Sequence, residues 1–334
     1  MPMNFSKLSI LVIEDLEPMR KLLTDILKSL GVGTVYTAAN GEKGYNMYAI
    51  KKPDLIITDW HMPEMDGLEL LEKIRKNPKS PNRTIPVIMI SGFCAPQRIS
   101  KARDLGATEF LVKPFSASDL EKRLSHTINT PRDFIVTPNF VGPDRRRKDD
   151  ENFSGKTTRK KETDKKITAK KDLQSKTGKG NINPQLIQNS QNIIENNTID
   201  FTPIMKSFLN EFKRSIDVAQ NLKTSNRKII EDLIFPIMQI KANARIFKYD
   251  LIGDLSTIIL NFLESAHQVD KLIIEILYAQ HKTISHLVEK DLKGDCGKVG
   301  ESLKAELQDA CNRYLNSKVQ ILQNELRQKK AESS

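Results

Sequence analysis

The sequence predicts an α/β amino-terminal part with five parallel strands in a doubly wound sheet, then a disordered basic linker, then an all-α carboxyl-terminal part. Three observations predict it. Short apolar runs alternate with helix-period segments over the first 130 residues. Between Gly142 and Gly180 apolar residues nearly vanish, leaving Phe153, Ile167, Ala169 and Leu173 in 39 positions. From Phe201 onward they return at helical spacing.

The elements follow in order. Leu8–Ile13 is an apolar strand that ends abruptly at Glu14 and Asp15, and Glu17–Leu30 is a helix closed by Gly31. Val32–Ala38 is strand-like and Asn40–Ile50 helical. Asp54–Thr58 has the composition of a buried strand and ends at Asp59, and Asp66–Lys76 is the next helix. Pro86–Ser91 is a strand, Gln97–Leu105 a helix stopped by Gly106, Glu109–Val112 the fifth strand and Ala117–Asn129 the fifth helix. Strands that are apolar throughout and alternate with helices belong to a parallel sheet covered on both faces. Right-handed crossovers with short loops make that sheet doubly wound, the flavodoxin-like arrangement.

The chain has 334 residues and 38.0 kDa, about two domains' worth. With 38% apolar and 28% charged residues it is lean for a fully packed protein, so part of its length is expected to stay unpacked. The net charge of +11 is uneven: residues 132–180 carry fifteen basic and eight acidic side chains, residues 1–131 a net +3 and residues 181–334 only +1. The basic character therefore belongs to the connecting segment. Cys94, Cys296 and Cys311 form no CxxC and no disulfide framework, as expected in a reducing cytoplasm. The first residues lack the charged start, apolar core and cleavage site of a signal peptide. The apolar stretches Ile258–Leu263 and Leu272–Leu277 are interrupted by Glu264 and Glu275, far short of the roughly 20 residues that cross a bilayer.

The chemistry-bearing residues lie just past the carboxyl ends of the strands, where open α/β sheets hold their sites. Glu14 and Asp15 follow the first strand, Asp59 ends the third, Ser91 ends the fourth, and Lys113 follows the fifth and precedes Pro114. If the strands lie side by side, three carboxylates converge. Such a cluster resists ionising together unless a cation shares it, and hard oxygen donors suit Mg²⁺. An ammonium and a hydroxyl beside the carboxylates are what a phosphoryl group on Asp59 needs for charge neutralisation and hydrogen bonding.

On these residues, 5–130 resemble a receiver domain of two-component response regulators. The segment Ile57–Gly67 (ITDWHMPEMDG) is especially similar to the bacterial chemotaxis regulators, and Glu14-Asp15, Asp59, Ser91 and Lys113-Pro114-Phe115 match the family pattern in order. The resemblance implies a phosphoacceptor, not a turnover enzyme. Asp59 receives the phosphoryl group from a sensor histidine kinase or histidine phosphotransfer protein. Asp15, Asp59 and the main-chain carbonyl of His61 hold Mg²⁺, with Glu14 acting through water. Ser91 and Lys113 contact the phosphoryl group, and Phe110 is the switch aromatic. Three positions depart from the commonest pattern: Phe110 lacks a tyrosine hydroxyl, His61 stands two residues after Asp59, and Phe93 two after Ser91. A bulky Phe93 is expected to shield the site, and the His61 side chain to face solvent.

Residues 131–199 are expected to be a disordered basic and polar linker. Residues 181–199 continue it, with nine Asn or Gln in nineteen. Its Lys/Arg run leaves open a nucleic-acid-binding regulator as an alternative. Residues 200–330 read as a helical interaction domain: Pro203–Leu222, Arg227–Phe247 around Pro236, Leu251 to about Lys290, and Ser302–Arg327 after the turn Gly294–Gly300. Leu255, Ile259, Phe262, Ala266, Val269, Ile273 and Ile276 step by 4, 3, 4, 3, 4 and 3, a heptad seam for a hairpin or a partner helix. An antiparallel four-helix arrangement follows. His267 is the residue on which a relay-intermediate alternative rests. The helical domain is expected to self-associate or to dock a downstream protein.

Overall fold

The computed structural model describes residues 3–92, 96–136, 140–144, 165–167, 172–221, 227–266 and 268–332. The chain divides into two compact units, Met1–Thr198 and Ile199–Ser334.

The first unit holds the expected sheet. Its strands are β1 (Ser9–Ile13), β2 (Thr34–Ala38), β3 (Leu55–Asp59), β4 (Val87–Ser91) and β5 (Glu109–Val112), all parallel in the order β2-β1-β3-β4-β5. Every residue of β3 and β4 is buried, which is why these two read as unbroken apolar runs. Five helices connect the strands: α1 (Glu17–Ser29), α2 (Gly41–Lys51), α3 (Gly67–Lys76), α4 (Pro96–Asp104) and α5 (Ala117–Asn129). In α1, Met19, Leu22, Leu23, Ile26 and Leu27 fall on one buried stripe, and Gly31 turns the chain away at φ 88°. Asn40 caps α2 through the Lys43 N–H, and capping boxes open α3 (Asp66 with Glu69) and α5 (Ser116 with Asp119). These caps set where each strand-to-helix turn ends, and so where the side chains at the strand ends project.

The unit does not stop at α5. Phe134–Val136 (β6) pairs antiparallel with Val141–Pro143 (β7) and Lys165–Ile167 (β8). Then follow the short α6 (Asp172–Thr177) and α7 (Pro184–Glu195), the latter packed on α1 and α5. The expectation of a disordered linker over 131–199 is therefore corrected at both its ends. The Asn/Gln-rich composition concealed a helical stripe: Leu186, Ile187, Ser190, Ile193 and Ile194 all turn inward, with Ile182 buried just before them. At the other end, the β6–β7 pair lies against Gly106 and the buried Arg75. The Arg75 guanidinium donates to the Gly106 carbonyl from Nε (3.1 Å) and Nη2 (3.0 Å) and sits 5.2 Å from the Phe134 ring. The basic run 145–164 lies outside the described residues.

The second unit is helical, with α8 (Thr202–Asn221), α9 (Arg227–Ala244, continued by a 3₁₀ turn at Arg245–Phe247), α10 (Asp250–Ser265), α11 (Lys271–Glu289) and α12 (Gly297–Glu332). α8 packs on α9 and α11, and α10 on α9 and α11, so these four close a ring; α12 lies on α10 and α11. The single helix expected from Leu251 to about Lys290 is corrected to two. Gly253 lies buried within α10, and the break falls after Ser265. No glycine or proline marks it. Asp270 starts the new helix by accepting from the Leu272 and Ile273 N–H groups at 3.1 and 3.0 Å. The heptad spacing ran across that break: Leu255, Ile259 and Phe262 are buried in one helix and Ile273 in the next. His267 lies outside the described residues. Among the described residues no helix is long and apolar enough to cross a membrane.

Candidate functional site

The site forms where the sheet order reverses, between β1 and β3, at the carboxyl ends of the strands. β1 delivers Glu14 and Asp15. The Glu14 N–H bonds the Ala38 carbonyl of β2 at 3.1 Å, and the Arg20 guanidinium gathers the Glu14 and Asp15 carbonyls, the latter at 3.1 Å. β3 delivers Asp59. The next residue is tied to β4 by Trp60 N–H to the Ile90 carbonyl at 2.9 Å, and the chain folds back so that the Gly67 N–H reaches the Trp60 carbonyl at 2.8 Å. A Cβ at Gly67 would stand 2.2 Å from the Asp59 carbonyl oxygen, so only glycine allows that return. β4 ends in buried Ser91, whose carbonyl accepts the Lys113 N–H at 2.8 Å. The Lys113–Pro114 peptide is cis.

Glu14, Asp15 and Asp59 offer carboxylate oxygens that all lie within 4.8 Å of one another. Lys113 Nζ stands 2.6 Å from Asp59 Oδ1 and 2.9 Å from Glu14 Oε2, and the Lys113 and Glu14 side chains are 2% and 1% exposed. The His61 N–H donates to Asp59 Oδ2 at 2.8 Å, so both Asp59 oxygens are oriented. Burial pushes the Glu14 carboxyl up to about 8, with the Lys113 ammonium opposing and the Asp59 and Asp15 charges adding to the rise. Burial, then repulsion from Asp59, raises Asp15 to about 6. Burial works against the Lys113 ammonium, yet Asp59 and Glu14 hold its pKa above the ordinary lysine value. One ammonium among three carboxyl groups leaves a deficit of positive charge. Glu14 Oε1 is buried with no hydrogen-bond partner, which is the further sign that the donor set fits a hard divalent cation.

Sequence reasoning placed Glu14, Asp15, Asp59 and Lys113 in one cluster, and the structure brings these four together. Ser91 lies on the strand between those of Asp59 and Lys113. Phe110 is half-buried on β5 and meets Trp60 edge to face, centroids 6.1 Å apart. The His61 ring is half-buried, 6.1 Å from Trp60, rather than fully turned to solvent. Phe93 lies outside the described residues. The roles of Arg20 and Gly67 were missed. Arg20 reads as an ordinary first-turn cation, whereas the Gly67 position, opening a helix soon after Asp59, carried a usable signal.

Fold and site define an α/β domain with a cation-ready carboxylate pocket at the switch point of a parallel sheet. The family model for the response regulator receiver domain matches residues 10–125. Chemotaxis protein CheY-3 of Vibrio cholerae serotype O1 is 32% identical over 117 residues, 35% of this chain and 88% of that protein. The chemotaxis protein CheY homolog of Campylobacter jejuni is 32% identical over 125 residues, 37% of this chain and 94% of that protein. Among solved structures, Vibrio cholerae chemotaxis protein CheY4 shares 29% identity over 35% of this chain and 95% of that one, with a TM-score of 0.33. The chain belongs to the response regulator receiver family, through its first unit.

Proposed function

We propose that this response regulator stores a signal as a phosphoryl group on Asp59, received from a phosphohistidine of a sensor histidine kinase or histidine phosphotransfer protein. An Asp59 oxygen forms the new bond to phosphorus as the bond to the histidine nitrogen breaks, and that nitrogen keeps the electron pair. The charge arriving on the phosphoryl oxygens is met by the Lys113 ammonium and the Ser91 hydroxyl. Glu14, Asp15, Asp59 and the main-chain carbonyl of His61 would hold Mg²⁺, which when bound supplies positive charge to the same oxygens. Phe110, packed on Trp60, is the aromatic that reads the change, because Trp60 directly follows the acceptor. The protein works as a phosphoacceptor that slowly dephosphorylates itself, not as a turnover enzyme.

The output belongs to residues 200–330 as a protein-interaction or self-association module. Val218, Leu272, Val299 and Val319 are exposed apolar side chains on its helices, which supports that reading.

The observation that carries the proposal is the buried Lys113 ammonium, 2.6 Å from Asp59 Oδ1 and 2.9 Å from Glu14 Oε2, beside a partnerless Glu14 oxygen. Incubating the protein with acetyl phosphate and Mg²⁺, then measuring its intact mass at once, tests it. Wild type is expected to gain one phosphoryl group and Asp59→Asn none. An unmodified wild type, or equal gain in the variant, overturns it. Light scattering with and without beryllofluoride then reads the output: a change of mass only in wild type assigns self-association to phosphorylation.

A further inference from the structure

α5 is bracketed at both ends by the segment that follows it. At its carboxyl end the Asn129 side chain donates to the Gly180 carbonyl (2.9 Å) and accepts the Gly180 N–H (3.1 Å). At its amino end Gln191 Oε1, on α7, accepts the Ala117 N–H at 3.0 Å. Between these points α7 lies along α1 and α5, and buried Ser190 donates to the Ile26 carbonyl at 3.4 Å. The first N–H groups of a helix have no acceptor within it. Ala117 is 0% exposed, so water does not serve its N–H, and the partner comes from 74 residues away.

That N–H lies four residues beyond Lys113. The turn between them is short: Lys113 is held by Asp59 and Glu14, Pro114 restricts the backbone, and Ser116 closes the capping box with Asp119. Fixing Ala117 from outside fixes the outer end of the turn that carries the ammonium. We propose that Gln191 is a positioning residue for the phosphoryl site, acting through Ala117 on the Lys113 turn, and that α7 is a working helix of the receiver rather than linker. This rests on the phosphoacceptor reading of Asp59. α7 suits an adjustable brace: Ser190 is its one buried residue, and its apolar side chains Leu186, Ile187, Ile193 and Ile194 are only half covered.

The test uses the full-length chain with acetyl phosphate at fixed Mg²⁺, comparing wild type, Gln191→Ala and Gln191→Glu. The initial rate of Asp59 labelling is followed against donor concentration. Gln191→Ala is expected to lower the saturating rate about three- to tenfold, with the half-saturating donor concentration little changed, because a displaced ammonium weakens the transition state more than donor binding. Gln191→Glu keeps an acceptor oxygen and places a negative charge at the amino end of α5, where it is favoured. It gives up the exposed Nε2 donation to Glu195 (3.1 Å), a small cost within α7, and is expected to restore the rate to within about twofold. Wild-type rates in Gln191→Ala overturn the inference. Equal loss in both variants also overturns it, since the acceptor oxygen is then not what matters. A wild type that takes up no phosphoryl group overturns the phosphoacceptor reading itself, which is a separate outcome from labelled wild type beside an unaffected variant.

Discussion

The ammonium of Lys113 and the carboxylate of Asp59 form a buried ion pair at 2.6 Å, and Glu14 shares the same ammonium at 2.9 Å. Removing the cation leaves two buried carboxyl groups with no compensating charge. Breaking a buried pair from one side costs about 3–5 kcal/mol, most of it the desolvation of the group left behind. Lys113→Ala is therefore expected to lower unfolding free energy by about that amount in Mg²⁺-free buffer. Part of the loss should return when Mg²⁺ is added, because the cation supplies the missing charge. Urea unfolding of wild type and variant, each with and without Mg²⁺, checks both statements. Equal loss under the two conditions would show that the lysine is a packing residue only.

The raised carboxyl groups give the pocket a pH dependence with a definite sign. Asp15 rises from 3.8 to about 6 and Glu14 from 4.5 to about 8. A group whose pKa is higher in the native state binds protons more readily there than when unfolded, so the Mg²⁺-free protein loses stability as pH climbs from the ordinary carboxyl range through these values. Cation binding needs the ionised forms, so Mg²⁺ affinity runs the opposite way and strengthens between about pH 6 and 8. Trp60, the single tryptophan, adjoins Asp59 and reports the titration by fluorescence. An affinity that does not change over this range would contradict the assignment. Asp15→Asn is expected to weaken Mg²⁺ by tenfold or more, on the order of 1.4 kcal/mol.

The site was legible in the sequence because its first polar residues stand where the strands must end, and because together they match the receiver pattern. Glu14 after Ile13, Asp59 after Thr58 and Lys113 after Val112 are polar groups whose position follows from the alternation alone. What surrounds the site was less legible. The inward stripe of α7 was hidden by Asn and Gln, which read as unfolded composition until the spacing of Leu186, Ile187, Ser190, Ile193 and Ile194 is set against a helical period. Arg75 looked like one more cation in the last turn of α3, yet it is 1% exposed. Nothing in its own neighbourhood marks it, because its partners are main-chain carbonyls and a ring from distant segments. The boundary at Asp270 escaped for a related reason: a side-chain cap ended one helical pattern and began another without any glycine or proline.

Arg75 makes a prediction of its own. Its guanidinium donates to the carbonyls of Gly106 and Arg83 (2.9 Å) and faces Phe134, and burial lowers its pKa to about 9. Arg75→Met fills similar space but leaves both carbonyls without their donor. The expected cost is about 1–3 kcal/mol, from the buried Gly106 acceptor with a smaller share from the part-buried Arg83 carbonyl, offset by the relief of burying a charge. Limited proteolysis should also cut more readily near Phe134–Pro143, because that pair of strands loses its anchor. Thermal unfolding measures the first effect and mass mapping of the fragments the second. A variant as stable as wild type would mean the carbonyls find other donors.

Asp270 ties two helices of the helical unit together. It caps α11 through the N–H groups of Leu272 and Ile273, accepts the Tyr314 hydroxyl at 2.9 Å and pairs with Lys318 at 2.7 Å, the last two on α12. Burial opposes its charge, but the bonds from Lys318, Ile273 and Tyr314 outweigh that and hold its carboxyl below the ordinary value of 3.8. A depressed carboxyl stabilises the fold above its unfolded pKa, and that contribution disappears as pH falls through the folded value. Asp270→Ala loses the cap and both α12 contacts, so a cost of about 1–2 kcal/mol is expected from the cap alone at neutral pH. Asp270→Asn keeps one oxygen for the cap, but an NH₂ replaces the Oδ2 that accepts from Tyr314 and pairs with Lys318, so it should lie between the two. The discriminating measurement is the difference in unfolding free energy between wild type and Asp270→Asn from pH 7 down to 3. The difference should shrink steadily toward the acid end. If it stays constant, the asparagine loses packing rather than charge, and the carboxylate of Asp270 is not what joins α11 to α12.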